Sequence, residues 1–215
     1  MPNLIEEFEA HLPDTLRATF RGLDSPIAIQ AYLDGLPYVA EERDRSPLNL
    51  ILDGQCHCLD GGFFAALALW RLGFSPLVID LLPEPDLDDD HVLALFRVDG
   101  GWGALAKSNY AGLRYREPVY RSVRELVMSY FDDFFNPSGQ RTLRGYTRPF
   151  DLSRHPEATW PWEESATQAL YRRFYARKSI PLISAEAAAR LHPLDERAFR
   201  AGTLGTNFKE TYPRG

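Results

Sequence analysis

The sequence predicts an α+β fold, on three observations. From Phe63 to Leu72 apolar residues fall on every helical face, which marks a fully buried helix. After it come short alternating runs, "PLVIDLL" and "HVLALFRV", and the turn residues "DGG" before "WGALAKSNY", the pattern of strands and an antiparallel hairpin. Capped helical segments then return toward the C-terminus, so helices and strands are segregated rather than alternating. The 215 residues, 45% of them apolar and rich in Phe and Tyr, supply enough bulk for one domain spanning residues 1–215.

Each element has its local reason. "SPIAIQAYLDGLPYV" opens with Ser25 as a cap and Pro26 at the first helical position, and its apolar residues recur at helical spacing. "EERDRSPLNLILDGQ" reads as a polar connection with a short apolar patch, broken by Gly54. The buried helix begins near Cys58 and stops at Gly73, where a left-handed residue is wanted. The stretch "PEPDLDDD" is an acidic loop between strands. Ser122 with Glu125 three residues on forms a capping box, predicting a helix through the 120–135 segment "YRSVRELVMSYFDDFF". The 136–162 segment is punctuated by Pro and Gly and reads as turns. "EESATQALYRRFYARKS" and "SAEAAARL", the latter capped by Ser184, are two more helices, and the last dozen residues read as a loosely held tail.

Thirty acidic against twenty-four basic residues give a formal charge of -6, and no stretch concentrates Lys and Arg as a phosphate-tracking surface does. A nucleic-acid partner is therefore not expected. No apolar run approaches the roughly 18 residues of a membrane span, and "MPNLIEEFEAHLPD" has no basic leader followed by an apolar segment, so a cytoplasmic location is the expectation. A disulfide between Cys56 and Cys58 closes a small strained ring that a reducing compartment does not maintain, so both thiols are expected to be free.

A cysteine at a helix N-terminus meets unpaired backbone N–H groups and the positive end of the helix dipole, both of which favour a thiolate. Placement makes Cys58 the candidate nucleophile. Asp60 suits the helix end, although its charge opposes a thiolate. Gly61 and Gly62 leave room for a substrate backbone to approach closely. A thiol enzyme also needs a base, and His91 stands at the start of a strand behind Asp88, Asp89 and Asp90, whose charges favour the imidazolium.

"CLDGGFFAALALWRLG", with Cys58 fifteen positions before Gly73, then "DDDHVLALFRVDGGWGALAKSNY", resembles the core of the transglutaminase-like superfamily. In that family a helix opens on Cys and ends Leu-Gly, a strand opens on His, and a Gly-Gly-Trp turn leads to a strand carrying Asp. "DHVLALF", "WGALAKSNYAGLRYREPVYRSVRELVMSYF" and "RTLRGYTRPFDL" are most similar to a bacterial branch of it. The resemblance covers roughly residues 25–152, leaving 153–203 as a C-terminal helical extension and 204–215 as the tail. It implies a papain-like core, thiol-dependent amide hydrolysis or acyl transfer, no cofactor, a peptide or small-molecule acyl donor, and water or an amine as acceptor. It also implies roles: Cys58 as nucleophile, His91 as base, and Gln55 or the Cys58 backbone N–H at the oxyanion. Trp102, Lys107 and Arg114 are candidates to face substrate, the two basic residues as part of the wall that a substrate entering near Asn109 meets. The departure is at Ala106, four residues after Trp102, where the family has Asp. The candidates for the third catalytic member, orienting His91, are therefore Asn109, as in papain-like relatives, and second Ser108, which shares the strand face of position 106.

Two rival readings stand beside this one. Cys56, His57 and Cys58 with His91 offer metal-ligating atoms, although the one-residue spacing and the lack of a second cysteine pair are unlike known zinc sites. A non-catalytic module is the other: Lys107 with Arg114, Arg116, Arg121 and Arg124 presents a basic wall able to hold a carboxylate or phosphate, or to ion-pair with neighbouring acids.

Overall fold

The computed structural model describes residues 4–155 and 158–212. Two short helices, α1 (Leu4–Ala10) and α2 (Asp14–Arg21), precede α3 (Pro26–Gly35) and α4 (Pro47–Asp53); then comes the central α5 (Cys58–Arg71). Strands β1 (Leu77–Pro83), β2 (His91–Val98), β3 (Gly101–Leu105) and β4 (Arg116–Tyr120) follow, then α6 (Val123–Met128), β5 (Leu143–Thr147) and β6 (Phe150–Asp151). The described chain closes with α7 (Glu164–Tyr175), β7 (Ser179–Pro181), α8 (Ala185–Ala188) and α9 (Glu196–Gly202). Among the described residues no helix is long and apolar enough to cross a membrane.

The fold is α+β. Strands pair antiparallel in the order β4-β3-β2-β1-β5-β7, with β6 adding to β1. Strand periodicity divides the core into two layers. Val78, Val92, Ala94 and Phe96 point to the face covered by α5, where Phe8 and Phe20 from the N-terminal helices and Trp160, Tyr171 and Phe174 also pack. Ile79, Leu81, Leu93 and Leu95 point the other way, onto Leu126, Val127, Tyr130 and Phe134. The position of every site residue on β2 follows from this alternation.

The central helix is buried from Cys58 to Leu69, as its all-round apolar sequence requires. It ends where Gly73 takes φ +90, with the Gly73 and Phe74 N–H groups donating to Trp70 and Leu69, the paired bonds of a Schellman stop. At its start, Gly61 and Gly62 are there for the protein's own packing: a Cβ on Gly62 meets Val92 Cγ1 at 2.6 Å, and one on Gly61 meets Lys107 Cβ at 2.4 Å. They bring helix and sheet together instead of opening a path for substrate. The β2–β3 turn places Asp99 and Gly100 both at positive φ, the type I′ geometry that matches strand twist.

Several expectations need correction. The 120–135 segment is not one helix. Ser122 caps it, accepting from the Glu125 N–H, but α6 stops at Met128, where Ser129 Oγ donates back to Leu126 O at 2.6 Å and single turns carry Tyr130 and Phe134 into the core. The connection before the cysteines contains α4, capped by Ser46 with Pro47 behind it. The 136–162 turns contain β5, an inner strand of the sheet. Residues 206–212 are not loose but hydrogen-bonded to Asn109 and Ala40.

Candidate active site

Two elements meet at the start of β2. The first residue of α5 is Cys58, whose preceding His57 has extended backbone, so the sulfur lies at the positive helix end. Its S–H points to the Asp90 carbonyl at 3.8 Å, the Val92 amide donates to the sulfur, and the Tyr38 side chain completes its hydrogen bonding. Asp90 and Val92 flank His91 in the chain. The thiol thus sits against the backbone on both sides of the candidate base.

The His91 imidazole leaves that backbone in the other direction. It shares strand parity with Leu93 and Leu95, and Nε2 lies 2.8 Å from the Leu113 carbonyl within the opposite layer. No hydrogen bond links it to Cys58 among the described residues. Ala106 projects its methyl into the same layer, so the position where the resemblance expects Asp is on the imidazole's face, and with Ala there the ring turns to a main-chain carbonyl. Both backbone groups of Ala106 are clamped by Gln30, whose Nε2 donates to its O at 2.9 Å and whose Oε1 accepts its N–H at 3.1 Å. Nothing in the strand pattern pointed to Gln30; its partner is 76 residues away.

Electrostatics here oppose a preformed ion pair. Burial, then the charges of Asp90 and Asp89, push the Cys58 thiol well above its ordinary range, against the Val92 N–H. Burial lowers His91 to about 4, so the imidazole is neutral. The acidic run does not offset that burial: Asp88 accepts from Thr142, while Asp90 accepts from a protonated Asp80 and from Tyr175 on the α5 side of the sheet. Burial raises Asp88 and Asp90 to about 6 and Asp80 further.

The remaining predicted residues divide. Ser108 and Asn109 line, with His91 and Tyr38, a cavity of about 40 Å³, room for a water or so. Ser108 Oγ accepts the Tyr110 N–H, and the Asn109 amide is spent on the C-terminal segment. Neither side chain holds the imidazole. Gln55 is half-buried in the turn before α5. Trp102 is not at the site: it pairs with Arg97 at the hairpin end of β2, six residues or about 20 Å along the strand from His91, with the Arg97 guanidinium over its ring. Lys107 is buried, its ammonium donating to the carbonyls of Leu33 and Leu36. Arg114 pairs with Asp34 at 3.1 Å, Arg116 with Asp133 while stacked on Tyr130, and Arg124 donates to Leu182 O. The basic wall largely spends itself on the fold.

Metal ligation by Cys56, His57, Cys58 and His91 is not assembled. Cys56 is fully buried in the apolar core, and burial raises its thiol to about 12. His57 Nε2 instead faces Asp44 Oδ1 at 3.4 Å and Asp60 Oδ2 at 3.5 Å. These three donors lie within 4.8 Å of one another and have the chemistry to hold a small cation. The positive charge is already supplied there: Arg45, 2% exposed, reaches Asp60, Asp53 and Glu41. Burial of His57 is outweighed by Asp44 and Asp60, so its pKa is raised toward an ion pair with them.

No family model matches the chain, and no curated protein matches it. Among solved structures it is similar to Legionella pneumophila LapG, at 13% identity and a TM-score of 0.43 over 80% of this chain and 95% of that one. The EGTA-treated and calcium-bound forms of LapG give TM-scores of 0.40 and 0.42, also at 13% identity. A likeness at this level assigns neither family nor activity.

Proposed function

We propose that the protein is a transglutaminase-like thiol enzyme acting on an amide or other acyl carbon, with Cys58 as nucleophile and His91 as base. The observation that carries this is the convergence at the start of β2. The thiol at the first residue of α5 contacts the main chain on either side of His91, and the imidazole is oriented through Nε2 by the Leu113 carbonyl. That carbonyl fixes the tautomer that leaves Nδ1 as the proton acceptor.

Because thiol and imidazole are both neutral, the reaction runs by general-base catalysis, not from a resting ion pair. As Cys58 Sγ bonds to the acyl carbon, its proton passes to His91 Nδ1, a transfer that requires the imidazole, which rests against the opposite layer, to swing toward the thiol. The same proton then goes to the departing amine as the carbon–nitrogen bond breaks, leaving a thioester. Water or an amine, deprotonated by His91, releases the acyl group and regenerates the thiol. The N–H groups at the start of α5 face the developing oxyanion.

The reading is tested by labelling with a peptidyl vinyl sulfone and mapping the adduct. A Cys58 adduct that forms in the wild type and is lost in His91→Ala supports it; equal labelling of the two removes His91 from the chemistry. A non-catalytic module is the second reading, favoured by the burial, and then the charges of Asp90 and Asp89, that keep the thiol protonated. It predicts no adduct in either protein.

A further inference from the structure

We propose that the groove between the Pro37–Ala40 segment and the Ser108–Ala111 turn is a polypeptide-binding site, occupied in cis by the chain's own residues 206–212. The contacts are those of main-chain recognition. One side-chain amide, Asn109, reads both backbone groups of Asn207: its Nδ2 donates to Asn207 O at 2.8 Å and its Oδ1 accepts the Asn207 N–H at 3.0 Å. Nδ2 also reaches Glu210 O at 3.2 Å, and Thr206 Oγ1 donates to the Asn109 carbonyl at 3.0 Å. A single charge is read as well, the Ala40 N–H donating to the Glu210 carboxylate at 2.6 Å. Phe208 and Leu204, the large apolar side chains of this region, remain exposed. The ligand class is therefore a polypeptide turn with one residue's N–H and C=O presented together and an acidic side chain three positions later, otherwise tolerant of sequence.

The location ties the groove to the candidate site. Glu210, Thr211 and Tyr212 wall the cavity that His91, Ser108 and Tyr38 line from the other side. Tyr38 is hydrogen-bonded to Cys58, and Glu210 holds the residue two positions after Tyr38. The occupied groove thus fixes the segment over the thiol and closes the cavity beside the imidazole. That the displacing polypeptide is the substrate rests on the thiol-enzyme reading; that the groove binds one does not.

The experiment uses a fluorescent peptide of residues 205–212, the full chain, and a chain ending at Leu204. The shortened chain is expected to bind the peptide saturably, with an affinity about tenfold or more above that of the full chain, and Asn109→Ala in the shortened chain to weaken binding about tenfold. Binding should be unchanged in Cys58→Ser, which separates this site from any thiol chemistry. No saturable binding to a shortened chain that still unfolds cooperatively, or equal binding by Asn109→Ala, overturns the proposal. If the shortened chain does not fold, trypsin cleavage after Lys209 in the full chain decides: Asn109→Ala should accelerate it about tenfold, and an unchanged rate overturns the proposal. Iodoacetamide should alkylate Cys58 faster in the shortened chain and slower again with peptide added; binding without that change overturns the closure.

Discussion

Asp90→Asn should stabilise the protein at neutral pH and flatten its pH dependence. Asp90 is half-buried against the buried Asp80, which keeps a proton and donates it, and both face the α5 side of the sheet. Folding raises the Asp90 carboxyl from 3.8 to about 6, chiefly by burial and then by the charge of Asp89. The folded value is the higher one, so its contribution to stability is full below 3.8 and is lost as pH rises through about 6. At about 1.4 kcal/mol per unit the loss by pH 7 approaches 3 kcal/mol, and sharing with Asp80 brings the expected effect to about 1–3 kcal/mol. Asparagine carries no charge to desolvate and its amide supplies the donor that a shared proton otherwise provides. Urea unfolding followed by tryptophan fluorescence, from pH 4.5 to 7.5, reads the difference between variant and wild type. That difference cancels the parallel slopes of Asp60 and Asp88 and the opposing one of His91, whose lowered pKa favours the fold above 6.5 and is lost as pH falls toward 4. The variant should match the wild type within about 1 kcal/mol at pH 4.5 and exceed it by about 1–3 kcal/mol at pH 7.5. An equal difference at both pH values, or a less stable variant at pH 7.5, refutes the buried acid pair.

Three other outcomes follow from packing and capping. Gly62→Ala forces a methyl to within 2.6 Å of Val92 Cγ1 and should lower stability by about 1–3 kcal/mol, read as a lower urea midpoint. Asp60→Ala removes the acceptor of the Arg45 N–H at 2.7 Å and a charge partner of the buried guanidinium; a loss of about 3–5 kcal/mol in the same assay is expected, with Asp60→Asn milder. Ser46→Ala deletes the cap on the Asn49 N–H and should cost about 1 kcal/mol.

The parts of the fold legible from sequence were those written locally. The all-apolar α5 with its glycine stop, the hairpin at Asp99–Gly100 and the Ser25 and Ser122 caps each need only a few neighbouring residues. Ser46-Pro47 carried the same signal for α4, hidden within a charged connection. What was not legible depends on distant partners. Strand β5 lies between Pro- and Gly-rich turns, and α6 is cut short because Tyr130 and Phe134 are drawn to the sheet. At the site, helix register placed Cys58, and the strand start placed His91, but spacing cannot tell which face of β2 the ring takes. The residues that organise the imidazole and position 106 are Leu113, through a backbone carbonyl, and Gln30, through a 76-residue contact. Neither leaves a trace in side-chain type near the motif. Asn109 has the polarity expected of a third catalytic member, yet its amide serves the C-terminal segment.

The most direct test of Cys58–His91 chemistry is the pH profile of iodoacetamide alkylation at Cys58 in the full chain, compared with His91→Ala and followed by intact mass. A working base gives the wild type a component of the rate that rises at or below neutral pH, following the lowered pKa of His91, and that is absent from the variant, which reacts only as a buried thiol at alkaline pH. Superimposable profiles for the two proteins contradict the assignment of His91 as the base.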